Sequence, residues 1–256
     1  MTADVRPDVS PDVSPGVNPD KAHDEPSAVA QRYAQRAAAV PADRYSTLRP
    51  DVWQTLHERQ RALLRLFVQH GVTDLSSLRL TELGCGSGGN LLEMLRLGFA
   101  PQHLQGVELL PERFEQARAN LPATTCLWLG DAANPEQAPI APGSQDFILQ
   151  ATVFSSILDD GFQQSLADAM WRWLKPGGVV LWYDFVINNP RNPQVRGVPL
   201  ARVRALFPQS RIIARRVTLA PPLARAVCAV HPALYTVFNA VPLLRTHRLM
   251  WIQKPT

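Results

Sequence analysis

The chain has 256 residues, 46% of them hydrophobic, with 26 Lys and Arg against 22 Asp and Glu for a formal net charge of +4. That fits one sizeable folded domain with ample core plus appendages, and nothing in it suggests a multidomain assembly. Cys85, Cys126 and Cys228 are odd in number and lack ligand spacing. They argue against a disulfide framework or a zinc site and for a reducing, cytoplasmic setting. The N-terminus carries no apolar signal core, and no stretch reaches the roughly 18 apolar residues of a membrane span.

Residues 1–28 repeat a short unit, Pro7-Asp-Val-Ser, Pro11-Asp-Val-Ser, Pro15-Gly-Val-Asn. Proline at every fourth position with few large apolar groups reads as a disordered, Pro-rich tail. Residues 29–72 read as a helical cap. An alanine-rich run from Ala28 carries Tyr33 and stops at Pro41. A second helix follows Pro50, with Val52, Trp53, Leu56, Leu63, Leu64, Phe67 and Val68 on one stripe and Gly71 at its end. Tyr45 lies between the two.

The domain proper, 73–256, opens on Leu78 to Asn90. Leu78, Leu80 and Leu83 alternate along a strand that reaches Glu82 and breaks at Gly84, Gly86, Gly88 and Gly89. Leu91, Leu92, Met94 and Leu95 then continue as a helix. The glycines allow a turn that side chains forbid and let a ligand lie on the main chain. A second strand, Leu104 to Glu108, ends in an acid 20 residues beyond Gly88, where a ribose would be held. Gly84-x-Gly86-x-x-Gly89 fits both a nicotinamide dinucleotide and an adenosyl cofactor. Further strands are read at Cys126 to Leu129, before Gly130-Asp131-Ala132, at Asp146 to Gln150, and at Val179 to Tyr183, before Asp184. Helices are read from Pro111 and from Gly161 to Leu174. The alternation predicts a mostly parallel sheet with helices on both faces and Glu82, Glu108, Asp131, Gln150 and Asp184 along one rim.

After Asp184 there are eleven Lys and Arg and no Asp or Glu, which marks either a solvated face or a surface for an anionic partner. Arg191 and Arg196, in the proline-fixed loop Asn188 to Gly197, can fork onto a phosphate, a carboxylate or vicinal hydroxyls, or pair with acids of the first half. The final strands, Arg211 to Leu219 and His247 to Gln253, flank an apolar insert, 222–244, broken by Pro232 and Pro242. The insert is expected to cover the site or pair protomers, with peripheral membrane contact as a further reading. Monomer and homodimer are both compatible.

From about Arg79 to Phe185 the chain resembles the class I S-adenosylmethionine-dependent methyltransferases. The resemblance rests on Glu82-Leu-Gly84-Cys-Gly86-Ser-Gly88, Glu108, Gly130-Asp131-Ala132, Ser144 to Gln150, and Leu174-Lys-Pro-Gly-Gly178, five motifs in order. It implies a Rossmann-like α/β three-layer sandwich, with a mostly parallel seven-stranded sheet whose last strand is antiparallel. It also implies S-adenosylmethionine as cofactor, held by Glu82, Gly84, Cys85, Gly86, Gly88, Glu108 with Leu109, Asp131 with Ala132, and Gln150. Trp182-Tyr-Asp-Phe, Asn-Pro-Arg-Asn-Pro and Leu244-Arg-Thr-His247 are similar to a bacterial subgroup associated with polysaccharide gene clusters. The expected reaction is O-methylation of a sugar hydroxyl in a glycan or its precursor, with another N or C acceptor, or non-catalytic cofactor binding, as alternatives. Asp184 and His247 are the candidate bases, and Tyr45, Tyr183, Arg191 and Arg196 the candidate acceptor contacts. No metal is expected, because Asp184 and Asn188 are not adjacent ligands. No nucleic-acid acceptor is expected either, because Gln150-Ala-Thr-Val153 differs from the Asn/Asp-Pro-Pro-aromatic pattern.

Overall fold

The computed structural model describes residues 25–39, 41–134, 137–188 and 192–256. The repeat up to residue 24 and Arg191 lie outside the described residues. The first helix, α1, spans Glu25–Ala39 and so begins ahead of Ala28. Helix α2 spans Pro50–Gln69, with Pro50 in its first turn, where a missing N–H costs nothing.

Seven strands follow: β1 Leu80–Leu83, β2 Leu104–Glu108, β3 Cys126–Leu129, β4 Gln145–Ala151, β5 Leu174–Phe185, β6 Arg211–Leu219 and β7 Arg245–Gln253. They form one sheet in the order β3-β2-β1-β4-β5-β7-β6. Only β7 runs against the others, pairing antiparallel with β5 and β6. The reversal of strand order between β1 and β4 opens the crevice where such sheets take ligands. Helices α3 Gly89–Leu97, α4 Pro111–Asn120, α5 Asp160–Trp173 and α6 Leu200–Leu206 connect the strands. Helices α7 Pro221–Val230 and α8 Leu234–Asn239 fill the insert between β6 and β7.

Each face of the sheet carries a core, as period-two alternation requires. Leu83, Ile148, Val180, Trp182 and Met250 pack with Leu166, Met170 and Trp173 of α5 and with Val203 and Phe207. Leu80, Phe147, Leu181 and Trp251 pack on the opposite face with Leu63, Leu66 and Phe67 of α2. The insert has a small core of its own, Leu219, Ala224, Val227, Cys228 and Tyr235. It leaves Val230 and Leu243 largely exposed. Asp146, read as an acid at the start of its strand, ties strand starts together. It accepts from the Arg79 N–H at 2.9 Å and from Lys175 Nζ at 2.7 Å. Among the described residues no helix is long and apolar enough to cross a membrane, and no group of three or more His, Cys, Asp or Glu is placed to hold a metal.

Candidate cofactor and active site

The strand β1 ends in a turn whose glycines take the left-handed backbone, with φ of +63° at Gly84, +57° at Gly86 and +86° at Gly88. A Cβ at Gly84 would stand 2.7 Å from a Val153 methyl, and one at Gly88 would stand 2.8 Å from Leu121 Cδ1. The turn is therefore closed to side chains for two reasons, conformation and space. Gly86 donates its N–H to Glu108 Oε2 at 2.7 Å, and Leu110 donates to Glu108 Oε1 at 2.9 Å. The carboxylate at the end of β2 is thereby locked against the glycine turn, with lone pairs remaining for a ligand's hydroxyls.

Beside it lies a cavity of about 140 Å³. Gly84, Glu108, Leu109, Asp131 and Ala132 line it, as do Val29 and Tyr33 of α1, Arg113 of α4, Thr152, Val153, Ser156 and Ile157 after β4, and Phe162 and Leu166 of α5. Asp131 accepts the Ala133 N–H at 2.8 Å through Oδ1, and burial raises its carboxyl above the ordinary range. Thr152 has φ +60°, an uncommon conformation for a β-branched residue. It is held there by its N–H to the Tyr183 carbonyl, at 2.8 Å.

Helix α1 is fastened over the cavity by polar contacts. Glu25 accepts from the Leu158 N–H at 2.9 Å and from Arg32, which also reaches the Ser156 carbonyl. Tyr33 donates to Ser156 Oγ at 3.3 Å, and the guanidinium groups of Arg36 and Arg113 lie 4.9 and 4.5 Å from its ring centre.

The other residues singled out from the sequence fall into two sets. Gly86 and Gly88 belong to the turn itself, and Glu82, Cys85 and Gln150 stand behind it and brace it. Glu82 is 1% exposed and accepts from Asn90 Nδ2 at 2.6 Å through Oε1, while Oε2 is buried without a partner. Burial pushes its carboxyl up to about 8, against the opposing effects of Asn90 and Arg59. Arg59 completes the network, donating to Asn90 Oδ1 at 2.6 Å and to Glu93 at 3.1 Å. Cys85 is buried, its thiol pushed up by burial and the nearby acids, and it fills the space that a Cβ at Gly106 would need. Gln150 accepts the Val153 N–H at 3.2 Å and so shapes the turn after β4.

The second set stands away from the cavity. Asp184 is fully buried and accepts the N–H groups of Ser155 at 3.1 Å and Phe185 at 2.9 Å. Burial raises it to about 7. His247 stacks on Tyr183 with ring centres 5.0 Å apart, and burial, then the Arg59 charge, lowers it to about 4. Tyr183 turns its hydroxyl to Thr218 Oγ1, at 2.9 Å. Tyr45 is 70% exposed, and Arg196 pairs with Asp160. None of these five lines the cavity.

Reading the sequence did not single out Arg113, Thr152, Phe162 or Leu166 as site residues. The signal for the last two is Asp159, which caps α5 by accepting the Phe162 N–H at 2.6 Å. It thereby aims Phe162 and, one turn on, Leu166 at the cavity.

Residues 81–178 match the family model described as a methyltransferase domain. The chain is similar to the tRNA N(3)-methylcytidine methyltransferase Mettl2 of Drosophila melanogaster, 26% identical over 185 residues, covering 62% of this chain and 54% of that one. It thus spans about half the length of this curated relative. Among solved structures it is similar to a SAM-dependent methyltransferase of Archaeoglobus fulgidus, with TM-score 0.53 and 13% identity over 76% of this chain and 94% of that one. It is similar also to the geranyl diphosphate C-methyltransferase of Streptomyces coelicolor bound to S-adenosyl-L-homocysteine, with TM-score 0.52 and 15% identity over 77% and 78% of the two chains. Residues 81–178 thus match a methyltransferase-domain model, and the chain around them has the fold of the S-adenosylmethionine-dependent methyltransferases.

Proposed function

We propose that this chain transfers a methyl group from S-adenosylmethionine to an acceptor that enters the cavity beside Thr152 and Ser156. The observation that carries the reading is the lock between Glu108 and the Gly86 and Leu110 N–H groups, which holds a carboxylate and a Cβ-free turn on one cavity wall. Those residues fit the cofactor. Glu108 would take its ribose hydroxyls, Asp131 its adenine amino group, and Leu109, Ala132 and Phe162 its apolar faces. The cofactor supplies a methyl carbon already activated by its sulfonium. The protein's part is then to orient, to hold the reactants near contact and to exclude water, effects worth roughly 7–11 kcal/mol in favourable cases. Val29 and Tyr33 of α1, together with Ile157 and Leu166, form the dry side of that enclosure.

The cavity wall favours one acceptor class over another. Among the described residues that line it, the titratable groups are Tyr33, Glu108, Arg113 and Asp131, with no histidine. A neutral hydroxyl needs a base within hydrogen-bond reach, whereas an amine or ring nitrogen brings its own lone pair. We therefore place a nitrogen acceptor ahead of the sugar hydroxyl expected from the sequence. The hydroxyl reading keeps one support, a carboxyl at about 7 on Asp184, which suits a general base although Ser155 covers it. Nucleic acid, set aside from the sequence, returns as an acceptor because the Drosophila relative is a tRNA methyltransferase by name. The three free cysteines support a cytoplasmic setting.

The test is transfer of an isotopically labelled methyl to a panel of amines, nucleosides, RNA and nucleotide sugars, read by mass spectrometry. Label on nitrogen supports the proposal. Label on a sugar oxygen, abolished by Asp184→Asn, would replace it with the hydroxyl reading.

A further inference from the structure

The edge of the sheet beyond β5 carries an arrangement that the cofactor site does not explain. Arg216 of β6 stands directly opposite Arg248 of β7 in the antiparallel register. Like charges at such a pair destabilise a sheet. Both belong to the face on which Ile212, Ala214 and Met250 pack, and Arg204 of α6, next to the buried Val203 of that core, lies near enough for its charge to act on Arg248. Arg248 is held below the ordinary arginine range by burial and then by the charges of Arg216 and Arg204. Its Nε is buried without a hydrogen-bond partner. Among the described residues no carboxylate pairs with any of the three arginines. Asp160 and Asp184 are engaged elsewhere. Asp160 takes Arg196 and Arg202, and Asp184, opposite Arg248 on β5, has its oxygens on the Ser155 and Phe185 N–H groups. No Asp or Glu follows Asp184 in the chain.

The cluster shares a rim and a face with the cavity. Ala151 pairs with Tyr183, so Thr152 falls in the row of Asp184, and Arg248 and Arg216 continue that row. With strands about 4.8 Å apart, the backbone of Arg248 stands roughly 10 Å from Thr152 and that of Arg216 roughly 14 Å. Leu83 and Val107, which line the cavity, belong to the same core face as Met250. Three guanidinium groups with no internal counter-charge match a multiply charged oxyanion, for which the planar fork of arginine is suited.

We propose that Arg204, Arg216 and Arg248 form a phosphate site that anchors a phosphate group of the methyl acceptor while its reacting atom lies in the cavity at Thr152. The acceptor role rests on the methyltransferase reading; the phosphate site itself does not.

The test is calorimetric titration of sodium pyrophosphate, at constant ionic strength, into the wild type, Arg216→Gln and Arg248→Gln, with S-adenosylhomocysteine titrated in parallel. Pyrophosphate is expected to bind the wild type and to bind each variant about tenfold more weakly. Arg216→Lys, which keeps the charge and loses the fork, should fall between. Unchanged circular dichroism and Tm show that the variants are folded. No pyrophosphate binding by the wild type, or equal binding by all the folded variants, overturns the site. Pyrophosphate binding as expected without adenosyl binding keeps the site and removes the methyltransferase reading. Competition then names the source of the phosphate. Displacement of pyrophosphate by a short single-stranded RNA points to a polynucleotide, displacement by a nucleoside diphosphate sugar points to a glycan precursor, and displacement by neither overturns the acceptor role.

Discussion

Replacing Glu82 with glutamine changes how stability depends on pH, and the structure sets both sign and size. The Glu82 carboxyl is carried from 4.5 to about 8 by burial. Between those values the folded chain keeps a proton that the unfolded chain releases, so stability is fullest below pH 4.5 and falls as pH rises towards 8. A shift of that size corresponds to roughly 4–5 kcal/mol before relaxation. Local adjustment around the unpartnered Oε2 reduces the measurable part to about 2 kcal/mol or more. Glutamine keeps the shape and an oxygen for Asn90 but cannot ionise. Asp184, also raised by burial, has the same sign, and His247, lowered by burial, has the opposite one. The quantity to measure is therefore the variant minus the wild type, which cancels both. Denaturant unfolding at intervals from pH 4.5 to 8.5 should show this difference climbing in favour of Glu82→Gln. At pH 8 the gain corresponds to about 4–8 °C in Tm. A difference that stays flat across the window would refute the argument that Glu82 is desolvated beneath the turn.

The other expectations are more local. Asp159→Ala removes the cap on Phe162 and should cost about 1 kcal/mol in urea unfolding; it should also weaken S-adenosylhomocysteine, because Phe162 forms a cavity wall, and an unchanged affinity would detach α5 from the site. Gly88→Ala forces a side chain into the left-handed region at φ +86° against Leu121, with an expected loss of at least 1–2 kcal/mol by the same unfolding assay. Tyr33→Ala should speed cofactor dissociation in stopped-flow and lower Tm by a few degrees, since the ring covers the cavity and packs on the margin of the core; equal dissociation rates would mean that α1 is not a cover. The His247 ring should stay neutral until the pH nears 4, which an NMR titration reads directly. Its contribution to stability is present above the unfolded value near 6.5 and lost as pH falls below it.

The strand positions, the glycine turn and the placing of Glu108 and Asp131 at or just beyond strand ends were legible because they depend on local rules. A short apolar run that stops at Leu83, glycine where φ turns positive, and an acid at a strand end all leave marks within a few residues. What lay hidden depends on distant contacts. Asp184 and His247 have the residue types of bases, but only packing shows one beneath Ser155 and the other stacked on Tyr183. Tyr33 and Tyr45 look alike in sequence, and the Ser156 hydroxyl with Arg113 decides that Tyr33 alone meets the cavity. Arg196 carried the signature of an anion contact, yet Asp160 takes it. Arg216 and Arg248 looked like ordinary strand-face cations until the β6–β7 register set them opposite one another.

The most direct measurement is calorimetric titration of S-adenosylhomocysteine into the wild type, Glu108→Ala and Asp131→Ala, with NADH as the control ligand. If Glu108 and Asp131 hold an adenosyl cofactor, the expected outcome is micromolar binding to the wild type, a large loss in both variants and no response to NADH. Binding of NADH, or adenosyl binding indifferent to Glu108, would contradict it.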